Sequence, residues 1–387
     1  MTGPLDPAAR VGLKPFLAMD VLREAAKLVA DGIDVAHLEI GQPAISAPER
    51  VRAAARAALN GDALGYTPAL GIEPLRERIA AHYRERDGVE VDPSRIAVTT
   101  GSSGGFQLAF LSALQPGGEV ILPTPGYPAY PNILTALGFK PRFLPLEARD
   151  GWRLTPEALA DAITPETTGV VIASPSNPAG TVLPRDQFAE ILAVADKAGI
   201  HVISDEIYHG LGYGMTPVTA LALTDTAIII NSFSKYFCMT GWRVGWMVIP
   251  EDLLRPVEML AQNFFICAPA ISQLAAIAAF DAVDEVETAK TEYRDARDLL
   301  LSGLSDMGVT SVLPSDGAFY VYADIAHLTN DSVDFCRRLL REHNVAATPG
   351  LDFDPDRGNR FIRFSVAGGH TQVEKALERM PAAFRQA

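Results

Sequence analysis

Seven short apolar runs, most of them rich in Val and Ile, recur through the first two thirds of the chain: RIAVTT, EVILPTP, KPRFLPLEA, GVVIASPS, IHVISDE, AIIINSFSK and RVGWMVIP. Several are followed by a polar or glycine-rich turn and then by helical spacing, as over residues 106–114 and 185–197. Nearly continuous hydrophobic strands alternating with helices belong to parallel sheets covered on both faces. The expectation is an α/β fold with a mostly parallel seven-stranded sheet covered by helices. From about Val286 the pattern changes to a long charged helix, then strands around residues 318–322 and 361–366, and a closing helix from about Thr371. These mark a second, smaller α+β domain. The division expected is therefore a large domain over 41–285 and a small domain over 286–387. An N-terminal segment, 1–40, packs on the small domain, with Pro4, Pro7 and Pro15 ahead of an amphipathic stretch over 19–30.

Composition removes several classes of function. The chain has 387 residues, 48% hydrophobic and 21% charged, which is enough apolar mass for a folded core. Lys and Arg number 33 against 47 Asp and Glu, a net charge of −14, so no overall field attracts a phosphate backbone and nucleic acid is not an expected partner. Cys238, Cys267 and Cys336 form no CxxC pair, which predicts neither a disulfide framework nor a thiolate metal site and suits a reducing cytoplasm. The start, MTGPLDPAAR, lacks the cationic and apolar regions of an export signal. FFICAPAISQLAAIAAF is broken by Pro269, Ser272 and Gln273 and closed by Asp281, so it reads as a buried helix and no membrane association is expected.

In open α/β sheets, ligands bind beyond the carboxyl ends of the strands. Four such ends carry chemistry: Gly101-Ser102-Ser103-Gly104-Gly105, Ser176-Asn177-Pro178, Asp205-Glu206-Ile207-Tyr208 and Ser232-Phe233-Ser234-Lys235. Each has a rival reading when taken alone. GSSGG satisfies the G-x-S-x-G of a serine hydrolase, with Ser103 as nucleophile and His370 in order, but no HGGG-like oxyanion loop precedes it. Ser232-x-x-Lys235 lacks the S-D-N and K-T-G companions of penicillin-binding enzymes. Asp205, Glu206 and His209 suggest a metal, yet carboxylates at a helix start usually cap it and no ligand set is completed, so no metal is expected. A Walker A motif is absent.

Taken together, the four ends suit one ligand with an anionic phosphate, a basic ring nitrogen and an electrophilic carbonyl. The glycine-serine turn opens a helix whose N–H groups favour a phosphate, and Arg243 adds a bidentate cation. Asp205 would keep a pyridine nitrogen protonated, and Lys235 would supply the amine for an imine.

SPSNPAGTV, SDEIYHGLGY and SFSKYFCMTGWRVGW, in this order and spacing, closely resemble class I/II aminotransferases, the fold-type-I pyridoxal-phosphate enzymes. The resemblance runs from LEIGQP through GYTPALGIEPLRERIA, TTGSSGGFQLAF and PTPGYPAY to DGAFYVYADI and FIRFSVA. It implies pyridoxal 5′-phosphate as cofactor and places Lys235 as the amine that bonds its aldehyde and then carries the Cα proton. It further implies Asp205 on the ring nitrogen, Asn177 and Tyr208 on the ring oxygen, and Tyr127 stacked on the ring. Ser102, Ser103, Gly104, Ser232, Ser234 and Arg243 would hold the phosphate. Tyr66 resembles the residue that reaches the phosphate from a neighbouring subunit, which implies a homodimer with shared active sites. Arg363 matches the arginine that grips the substrate α-carboxylate, with Gly41 approaching the same group through its backbone. Trp242 and Trp246 read as packing residues.

The activity implied is transfer of an amino group from an L-amino acid to a 2-oxo acid, with 2-oxoglutarate the expected acceptor. Phe16, Phe264, Phe265 and Ile266 lean towards a neutral or aromatic donor, and Lys14 is the candidate cation for a distal carboxylate. A β-eliminating lyase would share every cofactor residue. A ligand-sensing regulator on this fold would carry a DNA-binding segment, for which the net charge offers no field.

Overall fold

The computed structural model describes residue 8 and residues 12–61 and 64–384; Pro4 and Pro7 lie outside these. The chain opens with α1 (Leu17–Ala30), β1 (Ala36–His37), α2 (Glu49–Gly61) and α3 (Glu73–Asp87). The βα alternation follows as β2 (Ile96–Thr99), α4 (Gly101–Ala113), β3 (Glu119–Thr124), α5 (Ala129–Leu137), β4 (Lys140–Pro145), α6 (Pro156–Ala162), β5 (Thr167–Ala173), α7 (Arg185–Ala198) and β6 (His201–Asp205). Two strands without an intervening α-helix, β7 (Ile228–Ser232) and β8 (Gly245–Val248), complete the large sheet, and α8 (Leu254–Phe264) and α9 (Ala270–Ile277) come next. The last part comprises α10 (Val283–Asp306), β9 (Tyr320–Asp324), α11 (Ser332–His343), β10 (Val345–Ala346), β11 (Thr348–Pro349), β12 (Phe361–Ser365) and α12 (His370–Phe384).

The large sheet has seven strands in the order β2-β8-β7-β6-β5-β3-β4, parallel except that β8 runs against both neighbours. Alternating side chains feed two cores. Val171, Ile203 and Ile230 face one layer with α4, while Val170, Ile172, Val202 and Ile229 face the other. Burial on both faces explains the near-continuous apolar runs. Between β5 and β3 the winding reverses, and at such a reversal a crevice opens at the strand ends.

A separate core joins α10, α12, β9 and β12 with Ala36 and Leu38 from the N-terminal region. There β1 pairs in parallel with β10, Ala36 opposite Val345, and Ala25 of α1 packs with Leu340 and Ala346.

One local reading needs correction. Residues 264–280 are not one buried helix: α8 ends at Phe264, Ile266 takes a positive φ of 62°, Pro269 caps α9, and Phe264 and Ile266 are exposed. Proline lacks the N–H that an uninterrupted helix would need there. The glycine-serine turn opens α4 as expected, with Gly101 its first residue. Among the described residues, no helix is long and apolar enough to cross a membrane.

Candidate active site

The carboxyl ends of β2, β5, β6 and β7 open onto one cavity of about 250 Å3. Lys235 follows β7 and is half-buried there, its Nζ donating to the Gly41 carbonyl at 2.6 Å. Burial, reinforced by the charges of Arg363 and Arg243, lowers its amine to about 8. Asp205 ends β6 with its carboxylate on the same cavity, accepting from the Ile207 N–H at 3.1 Å and from the Tyr130 hydroxyl. Burial still raises it to about 6, so a cation arriving beside it would restore the charged form.

Ser102 and Ser103, in the first turn of α4, line the same cavity, with Ser234 and Arg243. Gly101 has a φ of +72°, and a Cβ on it would collide with the Arg243 guanidinium, so glycine lets that cation lie against the helix N-terminus. Arg243 donates to the Thr240 carbonyl at 3.0 Å. Helix N–H groups, hydroxyls and a guanidinium gathered together make an anion site.

Arg363, on β12, reaches the cavity from the smaller core and is 3% exposed, a depth at which a guanidinium demands partners. It donates to Asn177 Oδ1 at 3.2 Å, to the Glu39 carbonyl at 2.5 Å and to Thr348 Oγ1 at 3.1 Å, and lies over the rings of Tyr320 and Phe353. Its Nε, buried, has no partner. That orphaned donor, beside an open cavity, fits an incoming carboxylate.

Not every residue singled out in the sequence reaches the cavity. Ser232 is 1% exposed, and its hydroxyl is spent on Ser234 Oγ and the Val244 carbonyl, so it supports Ser234 from behind. Gly104 lies buried inside α4, closed in by Thr100. Tyr66 is 84% exposed and does not line the cavity. His370 sits at the start of α12, paired with Glu374, away from the cavity that Ser103 lines, which removes the hydrolase arrangement. Phe16 lines the cavity edge-on to Tyr127, whereas Phe264 and Ile266 are exposed and Lys14 lines a neighbouring apolar cavity. Trp246 is buried in the core with Trp242 against it.

Two tyrosines that sequence reasoning passed over join the site. Tyr130 holds Asp205, and Tyr320 shares a 2.8 Å hydroxyl contact with Tyr208 and blocks any side chain at Gly41. Tyr130 stands three residues after Tyr127 within PGYPAY, one helical turn on, which is the signal available for it.

A switch-point cavity holding an amine, a buried acid and two guanidinium clamps defines a group-transfer enzyme built around an anionic cofactor. Residues 33–380 match the family model for aminotransferase class I and II. The valine–pyruvate aminotransferase of Mycobacterium tuberculosis is 47% identical, aligned over 96% of this chain and 97% of its own length. The aspartate/prephenate aminotransferase of Thermus thermophilus is 33% identical, over 95% of each. Among solved structures, an aminotransferase from M. tuberculosis superposes with a TM-score of 0.95 at 46% identity, covering 98% of this chain and 99% of that one. The T. thermophilus aspartate aminotransferase with maleate gives 0.92 at 32% identity, covering 99% and 100%.

The chain belongs to the class I and II aminotransferases. It is accordingly a pyridoxal 5′-phosphate-dependent transaminase of fold type I, as the family resemblance implied.

Proposed function

We propose that this enzyme moves the amino group of a neutral L-amino acid to a 2-oxo acid, with Lys235 at its centre. The carrying observation is the Lys235 amine, lowered to about 8, in one cavity with Asp205 and Arg363. The cofactor supplies, when bound, an aldehyde that takes up the amino group and a ring that accepts electrons. In this reading Asp205 pairs with the ring nitrogen, Asn177 and Tyr208 bond the ring oxygen, and Tyr127 stacks on the ring. Ser102, Ser103, Ser234 and Arg243 hold the phosphate, with Gly104 giving α4 its close fit and Ser232 orienting Ser234. Arg363 grips the α-carboxylate opposite the Gly41 backbone, and Lys235 Nζ would carry the proton between the donor's Cα and the cofactor's C4′. An amine that titrates near neutrality suits both halves of that transfer.

A neutral donor is favoured because the cavity's three cations, Lys235, Arg243 and Arg363, all have tasks in this reading. Among the described residues that line it, none is left for a distal carboxylate, while Phe16, Met19, Ile40 and Tyr127 offer apolar surface. The same reasoning favours pyruvate over 2-oxoglutarate as acceptor, as does the valine–pyruvate activity named for the M. tuberculosis relative.

The test is a panel of amino acids given to the purified yellow enzyme, following the bound cofactor's absorbance with and without each oxo acid. Borohydride labelling of the peptide SFSKYF accompanies it. Bleaching by valine-like donors and recovery with pyruvate are expected. An unlabelled peptide overturns the role of Lys235, and release of pyruvate and ammonia without an acceptor overturns transfer in favour of elimination.

We read residues 41–285 as the cofactor-binding unit, and 286–387 with the N-terminal segment 1–40 as the smaller one. A homodimer is part of the proposal. Tyr66, Phe264 and Ile266 are exposed, and Thr67 N–H reaches Cys267 Sγ at 3.5 Å, which gathers these side chains into an apolar patch suited to a second copy. Sedimentation should give twice the chain mass, and Tyr66→Phe should weaken cofactor binding. The three cysteines are free, which fits a reducing cytoplasm.

A further inference from the structure

Glu206, His209 and Tyr236 directly follow Asp205, Tyr208 and Lys235 in sequence, yet they face away from the cofactor cavity. His209 and Tyr236 line a second cavity of about 370 Å3 behind the site, with His82, Arg86 and Asp87 from α3 and Glu287 and Lys290 from α10. His209 is 3% exposed. Its Nε2 lies 3.0 Å from the Ser174 carbonyl, and a carbonyl only accepts, so Nε2 carries a proton. Burial and the Arg86 charge hold the ring neutral, which leaves the Nδ1 lone pair to accept from Arg86 Nη2 at 3.3 Å. Arg86 is in turn fixed by Asp87, 2.6 Å away.

The Ser174 carbonyl stands in the turn that carries Asn177, and the imidazole sits on the turn that carries Asp205 and Tyr208. Beyond the β5–β6 ladder, which ends at the Ala173–Asp205 pair, the backbone bond between the two turns is a long one, Ser174 N–H to the Asp205 carbonyl at 3.3 Å. We propose that His209 is a positioning residue: its Nε2–H bond to Ser174 sets the separation between Asn177 and the Asp205–Tyr208 turn, and with it the fit of the cofactor ring.

Glu206 completes the arrangement. Its Oε1 accepts from Ser204 Oγ, Thr219 Oγ1 and Ala220 N–H at 2.8–3.1 Å, which leaves Oε2, without a hydrogen-bond partner, 3.4 Å from His209 Nδ1. Burial raises this carboxyl to about 7, towards the acid form, so no full negative charge stands beside Nδ1 to draw a second proton onto the ring.

The inference rests on the ring-binding roles proposed above, and two amides test it. A glutamine nitrogen occupies the place of Nε2 and an asparagine nitrogen that of Nδ1, so His209→Gln keeps the bond to Ser174 and His209→Asn loses it. The full-length enzyme is stripped of cofactor and titrated with pyridoxal phosphate. The pH midpoint of the bound cofactor's absorbance and the melting temperature of each cofactor-free variant are also recorded. His209→Asn should bind cofactor about tenfold more weakly and move the midpoint, while His209→Gln stays within about threefold with its midpoint unmoved. Equal behaviour of the two amides, or a wild-type midpoint in His209→Asn, overturns the proposal. Should the asparagine variant not fold, His209→Ala replaces it under the same criterion. Asn177→Ala is the control, and an unmoved midpoint there would sink the ring-site reading rather than the role of His209.

Discussion

Asp205 and Glu206 are consecutive, both essentially buried and both raised by burial, yet they sit in opposite electrostatic circumstances. Asp205 looks into an open cavity and has donors for part of its capacity, Tyr130 and Ile207 N–H. Glu206 looks back into the protein, where three donors satisfy one oxygen and His209 faces the other. In the proposed reading the front acid takes a cation the chain does not contain, whereas the back acid draws its donors from the chain itself. Strand alternation makes this division possible, since successive residues at a strand end serve opposite sides.

The sharpest way to break that contrast is at the front. Lys235→Ala should keep cofactor through the phosphate and ring contacts yet lose turnover by about 10^4-fold or more, checked by steady-state rates. Asp205→Asn should cost about 10^2–10^3-fold in kcat, because an uncharged amide cannot hold a protonated ring nitrogen, while Glu206→Gln should leave kcat within about threefold. Equal losses in the two isosteres would erase the front-and-back distinction. Arg363→Lys should raise the donor KM by about 10–100-fold, since a point charge cannot replace the guanidinium fork over Tyr320 and Phe353.

The smallest effect is in stability. Glu206 titrates near 7 when folded and near 4.5 when unfolded, so the folded state holds the proton more tightly. Its contribution is complete below about pH 4.5 and is lost as pH rises through about 7. Chemical denaturation of the cofactor-free protein should therefore show Glu206→Gln gaining on the wild type across that window, by an order of 1–3 kcal/mol. A gap that stays constant with pH would place the charge of Glu206 outside the balance.

Much of this was legible in sequence for a physical reason. Strands buried on both faces must be apolar throughout, so six of the seven runs stand out, the edge strand β4 being only partly covered, and the chemistry lies just past them, where Lys235, Asp205 and Asn177 were found. Nothing in such a run reports direction, and the antiparallel course of β8 was not foreseen. Tyr130 and Tyr320 look like core aromatics because they are buried; only the fold aims their hydroxyls at Asp205 and Tyr208. Ser232 and Ser234 alternate on the same segment, and spacing alone could not say which hydroxyl faces inward. The two-residue β1 is too short to carry a pattern, and its partner β10 lies at the far end of the chain.

That long-range pairing has a temporal meaning. In the proposed reading the carboxylate clamp is Arg363 held by the Glu39 carbonyl, 324 positions away, and Arg363 emerges from the ribosome long after Lys235. A nascent chain can thus complete its main sheet and present an amine while still unable to grip an amino acid. On that reading, the side chain that grips the substrate is among the last parts of the site to be synthesised.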